Sequence, residues 1–402
     1  MKKIMSILCA AALLLACLAG CGSGKTDPAE TETPTESAEP TETPDATETP
    51  TETAAPTRSR EEAYADYAAD TVVATVNGTD VTWDSFFGAA YQYILTLQNN
   101  YGITDLSAEL TEGYTMEQWV IDCAKDYLSQ IVAINEKAAE LGISVTDEEL
   151  ADIAADLQSY ADTYVEGDVD QLLRDNGMTE DFYYTQVTAS LLYNKMFEHF
   201  YGVDGENLSD EDAIGYAKDA GYLHAKHILL KTVDDSRQPL DDETIAEKKA
   251  QAEALLAELK NCPADELEAK FDALIEEYSE DYTPGYYPDG YYFQEGTMVD
   301  AFYNAALALD EGAVSEIVES EFGYHILFHP AFGADHVFTY DSSYQPVTLR
   351  AAAADALFSN MSEEWFSAAE FSFKPEFEDF SLVELFAVRD AQLQSEPLKE
   401  SK

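Results

Sequence analysis

Apolar positions along the chain change period several times, and each change marks an element. Val72-Val-Ala-Thr-Val76 and Thr79-Asp-Val-Thr82 are β-rich runs separated by Asn77-Gly78, which predicts a two-stranded hairpin. Helical spacing follows. Thr115-Met-Glu-Gln118 and Thr146-Asp-Glu-Glu149 are capping boxes, in which a hydroxyl and a carboxylate or amide satisfy the first free amides of a helix. Behind the first, Met116, Trp119, Val120, Cys123, Tyr127, Leu128 and Ile131 keep one face. Behind the second, Leu150, Ile153, Ala154, Leu157 and Tyr160 do the same. Gly177 reads as a helix stop after Leu172-Leu173, and a further helix carries Phe182, Tyr183, Val187, Leu191, Leu192 and Met196.

From Tyr222 the pattern mixes both periods. A strand is expected over Tyr222–Leu230 and a helix over Thr244–Lys260, capped by Asp241 or Asp242. A second helix is expected over Ala264–Tyr278, with Leu267, Phe271, Leu274, Ile275 and Tyr278 on one face. A short helix over Val299–Leu307 and strands over Ser315–Glu319 and Tyr324–Phe328 complete the run. An antiparallel sheet wrapped by helices fits this order. Beyond it come a strand-like His336–Tyr340, a helix from Thr348 to about Ala368, and an aromatic segment through Phe380 and Phe386. The end, from about Gln392, reads as frayed.

The first 60 residues have a different composition. Lys2 and Lys3 precede an apolar run, Ile4 to Leu18, which is short for a bilayer span and reads as a secretory leader over residues 1–20. It ends in Leu18-Ala19-Gly20-Cys21, which resembles a bacterial lipobox. That resemblance implies cleavage before Cys21, a lipid on Cys21 and attachment to a membrane outside the cytoplasm. Residues 22–60 are Thr, Glu, Pro, Ala and Ser without apolar periodicity, so an extended disordered linker is expected. At about 3.3 Å per residue it reaches on the order of 130 Å.

The formal net charge is −57. A surface of that sign repels nucleic acid and anionic lipid, so neither is expected as an electrostatic partner. Beyond Cys21 only Cys123 and Cys262 remain, and no zinc-type spacing or twelve-residue calcium loop appears.

Five landmarks then fall in a telling order: Leu223-His-Ala-Lys-His-Ile-Leu-Leu230, Tyr278-Ser-Glu-Asp281, Gly296-Thr-Met-Val-Asp-Ala-Phe302, Asp310-Glu-Gly-Ala-Val-Ser315 and Phe322-Gly-Tyr-His-Ile-Leu327. Together they resemble the parvulin family of peptidyl-prolyl cis/trans isomerases. The opening Val-Ala-Thr-Val-Asn-Gly, the helices after it and Ile143-Ser-Val-Thr-Asp-Glu-Glu149 resemble the N-terminal chaperone domain of SurA- and PrsA-type foldases. The fold class expected is α+β: a parvulin domain with a four-stranded antiparallel sheet and surrounding helices, plus a mainly α-helical chaperone domain. The implied domains are residues 61–220 (chaperone), 221–331 (parvulin) and 332–402, a segment packing back on the chaperone domain.

By that resemblance His227 and His325 pair across the middle of the sheet, and Asp281 sits beside the rotating amide. Met298 and Phe302 cradle the proline ring, with Phe322 and Tyr278 at the flanks. No cofactor is implied. The implied partners are unfolded or newly secreted polypeptides containing X–Pro bonds. Read without the family, Met298 and Phe302 have the spacing of any helical core pair, and Asp281 reads as a loop cap. His224 and His227 alternate across a strand, which speaks against a shared metal. One departure stands out. Where many parvulins carry Gly-Gly-Asp-Leu-Gly, this chain has Tyr287-Pro-Asp-Gly-Tyr-Tyr-Phe293, an aromatic rim. Lys231 and Arg237 are interrupted by Asp234 and Asp235, so no basic cluster for phosphorylated substrates is expected. The alternative to an isomerase is a holdase that keeps the parvulin fold as a scaffold. Some of the 25 tyrosines are expected to line a groove for unfolded chains.

Overall fold

The computed structural model describes residues 58–281 and 287–387. The leader, Cys21, the linker to residue 57 and the frayed end from Gln392 lie outside the described residues. The chain divides into two compact units, one of residues to Lys195 together with those from Glu363, the other Met196–Ser362.

In the first unit, helix α1 (Arg60–Tyr64) is capped by Ser59. The hairpin follows as β1 (Val72–Val76) and β2 (Thr79–Thr82). Asn77 and Gly78 take φ of 51° and 88°, the left-handed pair that a tight hairpin turn requires. Helix α2 (Trp83–Tyr101) starts on the Thr82 side chain. A short hairpin, β3 (Glu109–Thr111) and β4 (Tyr114–Thr115), leads into α3 (Met116–Leu141). Helices α4 (Asp147–Tyr164), α5 (Val169–Asp175) and α6 (Glu180–Tyr201) complete the run. Both capping boxes form, at Thr115/Gln118 and Thr146/Glu149.

The stripe on α4 is narrower than its sequence suggests. Ile153, Leu157 and Ala161 are buried, whereas Leu150 and Tyr160 are 38% and 39% exposed and Ala154 is also exposed. The buried line follows i, i+4, i+8, so the helix is covered along one row rather than across a wide face. From the far end of the chain, β11 (Phe371–Phe373) pairs antiparallel with β1, giving the order β11-β1-β2. Behind it, Phe373 and Phe380 stand edge-on to Phe86, and Phe380 edge-on to Trp83.

The second unit holds α7 (Asp210–Asp219), β5 (Leu223–Lys231), α8 (Asp242–Lys260) and α9 (Leu267–Tyr278). After these come β6 (Tyr291–Phe293), α10 (Asp300–Leu307), β7 (Val318–Glu319) and β8 (Gly323–Phe328). The unit closes with β9 (Val337–Tyr340), β10 (Pro346–Thr348) and α11 (Leu349–Ser367), whose last turn lies past Ser362. Asp241 caps α8. Four strands form one antiparallel sheet in the order β6-β5-β8-β7, and the whole is an α+β protein. Alternation gives the sheet two different faces. Ile228, Leu230, Tyr324, Ile326 and Phe328 pack on one side against Leu255, Leu259, Phe271 and Leu274 from α8 and α9. Ala225 and Leu327 pack on the other against Phe293, Phe302 and Ala306.

One expected strand is shorter. Of Ser315–Glu319 only Val318–Glu319 is strand, because Ser315 turns its hydroxyl inward and accepts from Leu327 N–H at 2.9 Å. In the aromatic stretch Tyr287–Phe293, Tyr291–Phe293 is strand. Tyr287–Gly290 is a turn closed by Gly290 N–H to the Tyr287 carbonyl at 3.0 Å, and residues 284–286 lie outside the described residues.

Candidate active site

β5 and β8 run antiparallel with His227 opposite Leu327 and Leu229 opposite His325. The two histidines are therefore diagonal neighbours on one face, the face that also carries Phe302. Their rings lie nearly parallel, 5.5 Å apart at 14°, and the two Nδ1 atoms are 3.2 Å apart. Asp281 arrives from the other direction. Past α9, Leu229 N–H donates to Ser279 Oγ at 3.1 Å, and Glu280 N–H donates to the Leu229 carbonyl at 2.8 Å. The segment thus runs beside β5 and sets Asp281 Oδ2 3.1 Å from His227 Nε2.

The far end of the network is Ser320, which the sequence reading missed. Its Oγ lies 2.7 Å from His325 Nε2 and accepts from Phe322 N–H at 3.1 Å. A signal existed. Ser320 precedes the β8 histidine by five residues, and the tight return from β7 to β8 brings such a residue back beside His325.

For neutral imidazoles this chain has one consistent direction, assigned from its hydrogen-bond partners. A carboxylate only accepts, so His227 Nε2–H donates to Asp281. His227 Nδ1 is then an acceptor and takes the His325 Nδ1–H. His325 Nε2 is left as an acceptor and takes the Ser320 hydroxyl proton. All four ring nitrogens of the two imidazoles thus have a partner. Burial first, and the neighbouring His227 second, push His325 down to about 4, which keeps it neutral at ordinary pH. The hydrogen bond from His227, outweighing partial burial, holds the Asp281 carboxyl below its usual range. The Asp281 side chain is 48% exposed and that of His227 9%, so the charge sits at the mouth and the imidazoles lie within.

Phe302 stands edge-on to both imidazoles, 5.1 Å from His227 and 5.6 Å from His325. Met298 is half-buried and packs in the same apolar cluster as Phe302, Phe293 and Ala225. His227, His325, Asp281, Met298 and Phe302 are therefore brought to one face. Tyr278 is not. It ends α9 and packs on the opposite face with the cluster of Ile228 and Phe271, because the chain crosses to the site only after it. Phe322 contributes its backbone N–H to Ser320, while its ring lies 5.4 Å beneath the Arg237 guanidinium. Tyr291 is a second residue that sequence reasoning did not single out, edge-on to His227 at 5.6 Å.

Paired imidazoles under an apolar floor, on a β6-β5-β8-β7 sheet, define a parvulin-type domain. Residues 213–328 match the family described as the PPIC-type PPIASE domain, and residues 61–197 match the SurA-like N-terminal domain. The chain thus carries a parvulin-type peptidyl-prolyl isomerase domain together with a SurA-like N-terminal domain. It is similar to Foldase protein PrsA of Staphylococcus epidermidis, 30% identical over 183 residues, covering 44% of this chain and 50% of that protein. It is also similar to Foldase protein PrsA of Bacillus subtilis, 31% identical over 150 residues, covering 37% and 42%. The chain spans about half or less of the length of these curated relatives. The crystal structure of PrsA from Bacillus subtilis is 22% identical and covers 75% of this chain and 91% of that one at a TM-score of 0.23, too low to carry an argument.

Proposed function

We propose that this chain is an extracytoplasmic foldase. Its parvulin-type domain isomerises X–Pro bonds in newly secreted polypeptides, its helical domain holds them, and a lipid on Cys21 tethers it to a membrane. The observation that carries the reading is the hydrogen-bonded chain Asp281–His227–His325–Ser320, its two imidazoles buried beside Phe302.

Amide resonance places negative charge on the carbonyl oxygen and stiffens the C–N bond. Twisting undoes this: the oxygen loses charge and the nitrogen regains its lone pair. A site accelerates rotation by favouring that twisted amide over both planar forms. Met298 and Phe302 supply an apolar seat for the proline ring. The Asp281 carboxylate, fixed at the mouth by His227, opposes charge on the planar carbonyl oxygen more than on the twisted one. The two hydrogen-bonded imidazoles hold that carboxylate without reorganising, which is where preorganised dipoles gain their effect. No bond is made or broken.

The test is X–Pro exchange measured on a short unphosphorylated peptide with the folded chain and its Asp281→Ala and Met298→Ala versions. Each substitution is expected to lower kcat/KM by about tenfold or more. If the folded parent gives no acceleration, the isomerase reading fails and a holdase remains. Tethering is tested separately: Cys21→Ser is expected to move the protein from the membrane fraction to the soluble one.

A further inference from the structure

The loop Tyr287–Gly290 forms the rim of the site, and its geometry is unusual. Tyr287 has φ of +49°, a left-handed backbone that a residue with a bulky side chain adopts at a cost. Gly290 has φ of +94°, and a Cβ there would lie 2.9 Å from the Ala225 carbonyl oxygen, so the end of the turn is pressed onto β5. Asp289 is held twice. Its carbonyl accepts from His224 Nε2–H at 2.7 Å, and its Oδ2 accepts from Val337 N–H of β9 at 2.9 Å. Tyr287 is held by Tyr340, the last residue of β9. Tyr287 N–H donates to the Tyr340 hydroxyl at 3.2 Å, and the two rings stand edge-on, 5.3 Å apart at 87°. From there rings continue inward. Tyr287 lies 4.7 Å from Tyr291, and Tyr291 stands edge-on to His227.

Resting on the isomerase reading above, we propose that Tyr340 is a positioning residue for the site. It holds Tyr287 in its left-handed conformation and so sets the Tyr287–Tyr291 wall against His227. Tyr340 lies beyond residues 213–328, so the matched domain does not contain it. The physical argument is one of strain and restraint. The Tyr340 hydroxyl restrains the amide side of Tyr287 while the Gly290 N–H holds its carbonyl, and a tyrosine with positive φ relaxes when the amide side is released. Relaxation turns the peptide plane at Tyr287 and carries its ring away from Tyr291. Tyr291 then loses its backing, and the edge contact on His227 loosens. His227 is the middle member of the chain that fixes Asp281, so the loss is felt at the carboxylate. The β9–β10 hairpin thereby supplies the order that a glycine-rich loop would otherwise supply through its own turns.

The experiment uses the whole chain with Tyr340→Phe, which removes one hydroxyl and keeps the ring. It is combined with Tyr287→Asn, because asparagine tolerates left-handed backbone. Tyr340→Phe is expected to lower kcat/KM by about three- to tenfold, mainly through kcat, with the urea midpoint unchanged. In the Tyr287→Asn background the same substitution is expected to cost less than about twofold, since asparagine takes the left-handed backbone at less cost and the Tyr287 ring that backs Tyr291 is already gone. The His227 ring proton resonances, which feel the Tyr291 ring, are expected to move in Tyr340→Phe. An unchanged kcat/KM, or an equal loss in both backgrounds, overturns the proposal. If the parent itself shows no isomerase activity, the isomerase reading falls and the resonances decide alone: a shift keeps the coupling, and unmoved resonances overturn it.

Discussion

Ser320 shows how much one hydroxyl can decide. It is the donor that leaves His325 Nε2 satisfied inside the sheet. Ser320→Ala removes that donor from a buried acceptor, a change that costs about 1–3 kcal/mol. The expected outcome is a lower urea midpoint together with a mixed tautomer for His325 in nitrogen-15 spectra; a single unchanged tautomer would speak against the assigned direction. The pH dependence follows from the same residue. His325 is pushed down to about 4, mainly by burial, against an ordinary value of 6.5. Between those values the unfolded chain binds a proton that the folded chain refuses, so stability falls as pH drops from about 6.5 through about 4. His224, also pushed down to about 4 by burial, adds a slope of the same sign. Asp281 is also shifted downward, so its slope has the same sign, but its window lies lower: its contribution is complete above the ordinary 3.8 and is lost as pH falls below it. The acidic surface titrates as well, so the comparison is with His325→Asn, whose denaturation midpoint should fall less steeply across the window. Parallel curves for parent and variant would contradict the assignment.

Among elements, the β5–β8 pair is the least forgiving. Gly323 opens β8 opposite Lys231 with φ of +150°, and a Cβ there would sit 2.1 Å from the Leu230 carbonyl oxygen. Backbone cannot yield as a flexible side chain can. Gly323→Ala is expected to cost about 3 kcal/mol or more, read from the denaturant midpoint, because it strikes the strand that carries His325. Helix α4 shows the opposite case. Its apolar positions are real, but burial follows the row Ile153–Leu157–Ala161, and Tyr160 and Tyr164 are left outside, their rings 6.4 Å apart at 11°. Periodicity states which side of a helix is apolar; how wide a neighbour covers it is a tertiary matter. The β1–β2 hairpin needed no such help, since Asn77-Gly78 carries its own turn geometry.

For the whole molecule, chain order and spatial order part company at the C-terminal side. Phe371–Phe373 closes the edge of β1, with Asn77 N–H donating to the Glu370 carbonyl at 3.1 Å. Ending the chain at Ser362 removes this strand and bares an unpaired edge above Trp83 and Phe86. The expected result is loss of hydrogen-exchange protection at the Asn77 amide, and aggregation; retained protection would show that the hairpin and helices suffice alone. The same long return explains why domain limits read along the sequence are less informative than contacts. Residues 332–362 lie within the second unit and those from Glu363 within the first.

What the sequence determined by itself is local and chemical. Capping boxes, the Asn-Gly turn and the alternation along Leu223–Lys231 and Gly323–Phe328 depend on near neighbours, and near neighbours are written side by side. The five landmarks likewise point to His227, Asp281, Met298, Phe302 and His325, which the fold brings to one face. Tertiary structure alone decided the rest. Strand register set the two imidazoles diagonal to one another, and the crossing after α9 put Tyr278 on the far face while bringing Asp281 to the near one. The β7–β8 return delivered Ser320, and β9 delivered Tyr340 from beyond the matched domain. Each of these depends on residues far apart in the chain meeting at hydrogen-bond distance, and spacing along a sequence does not encode that distance.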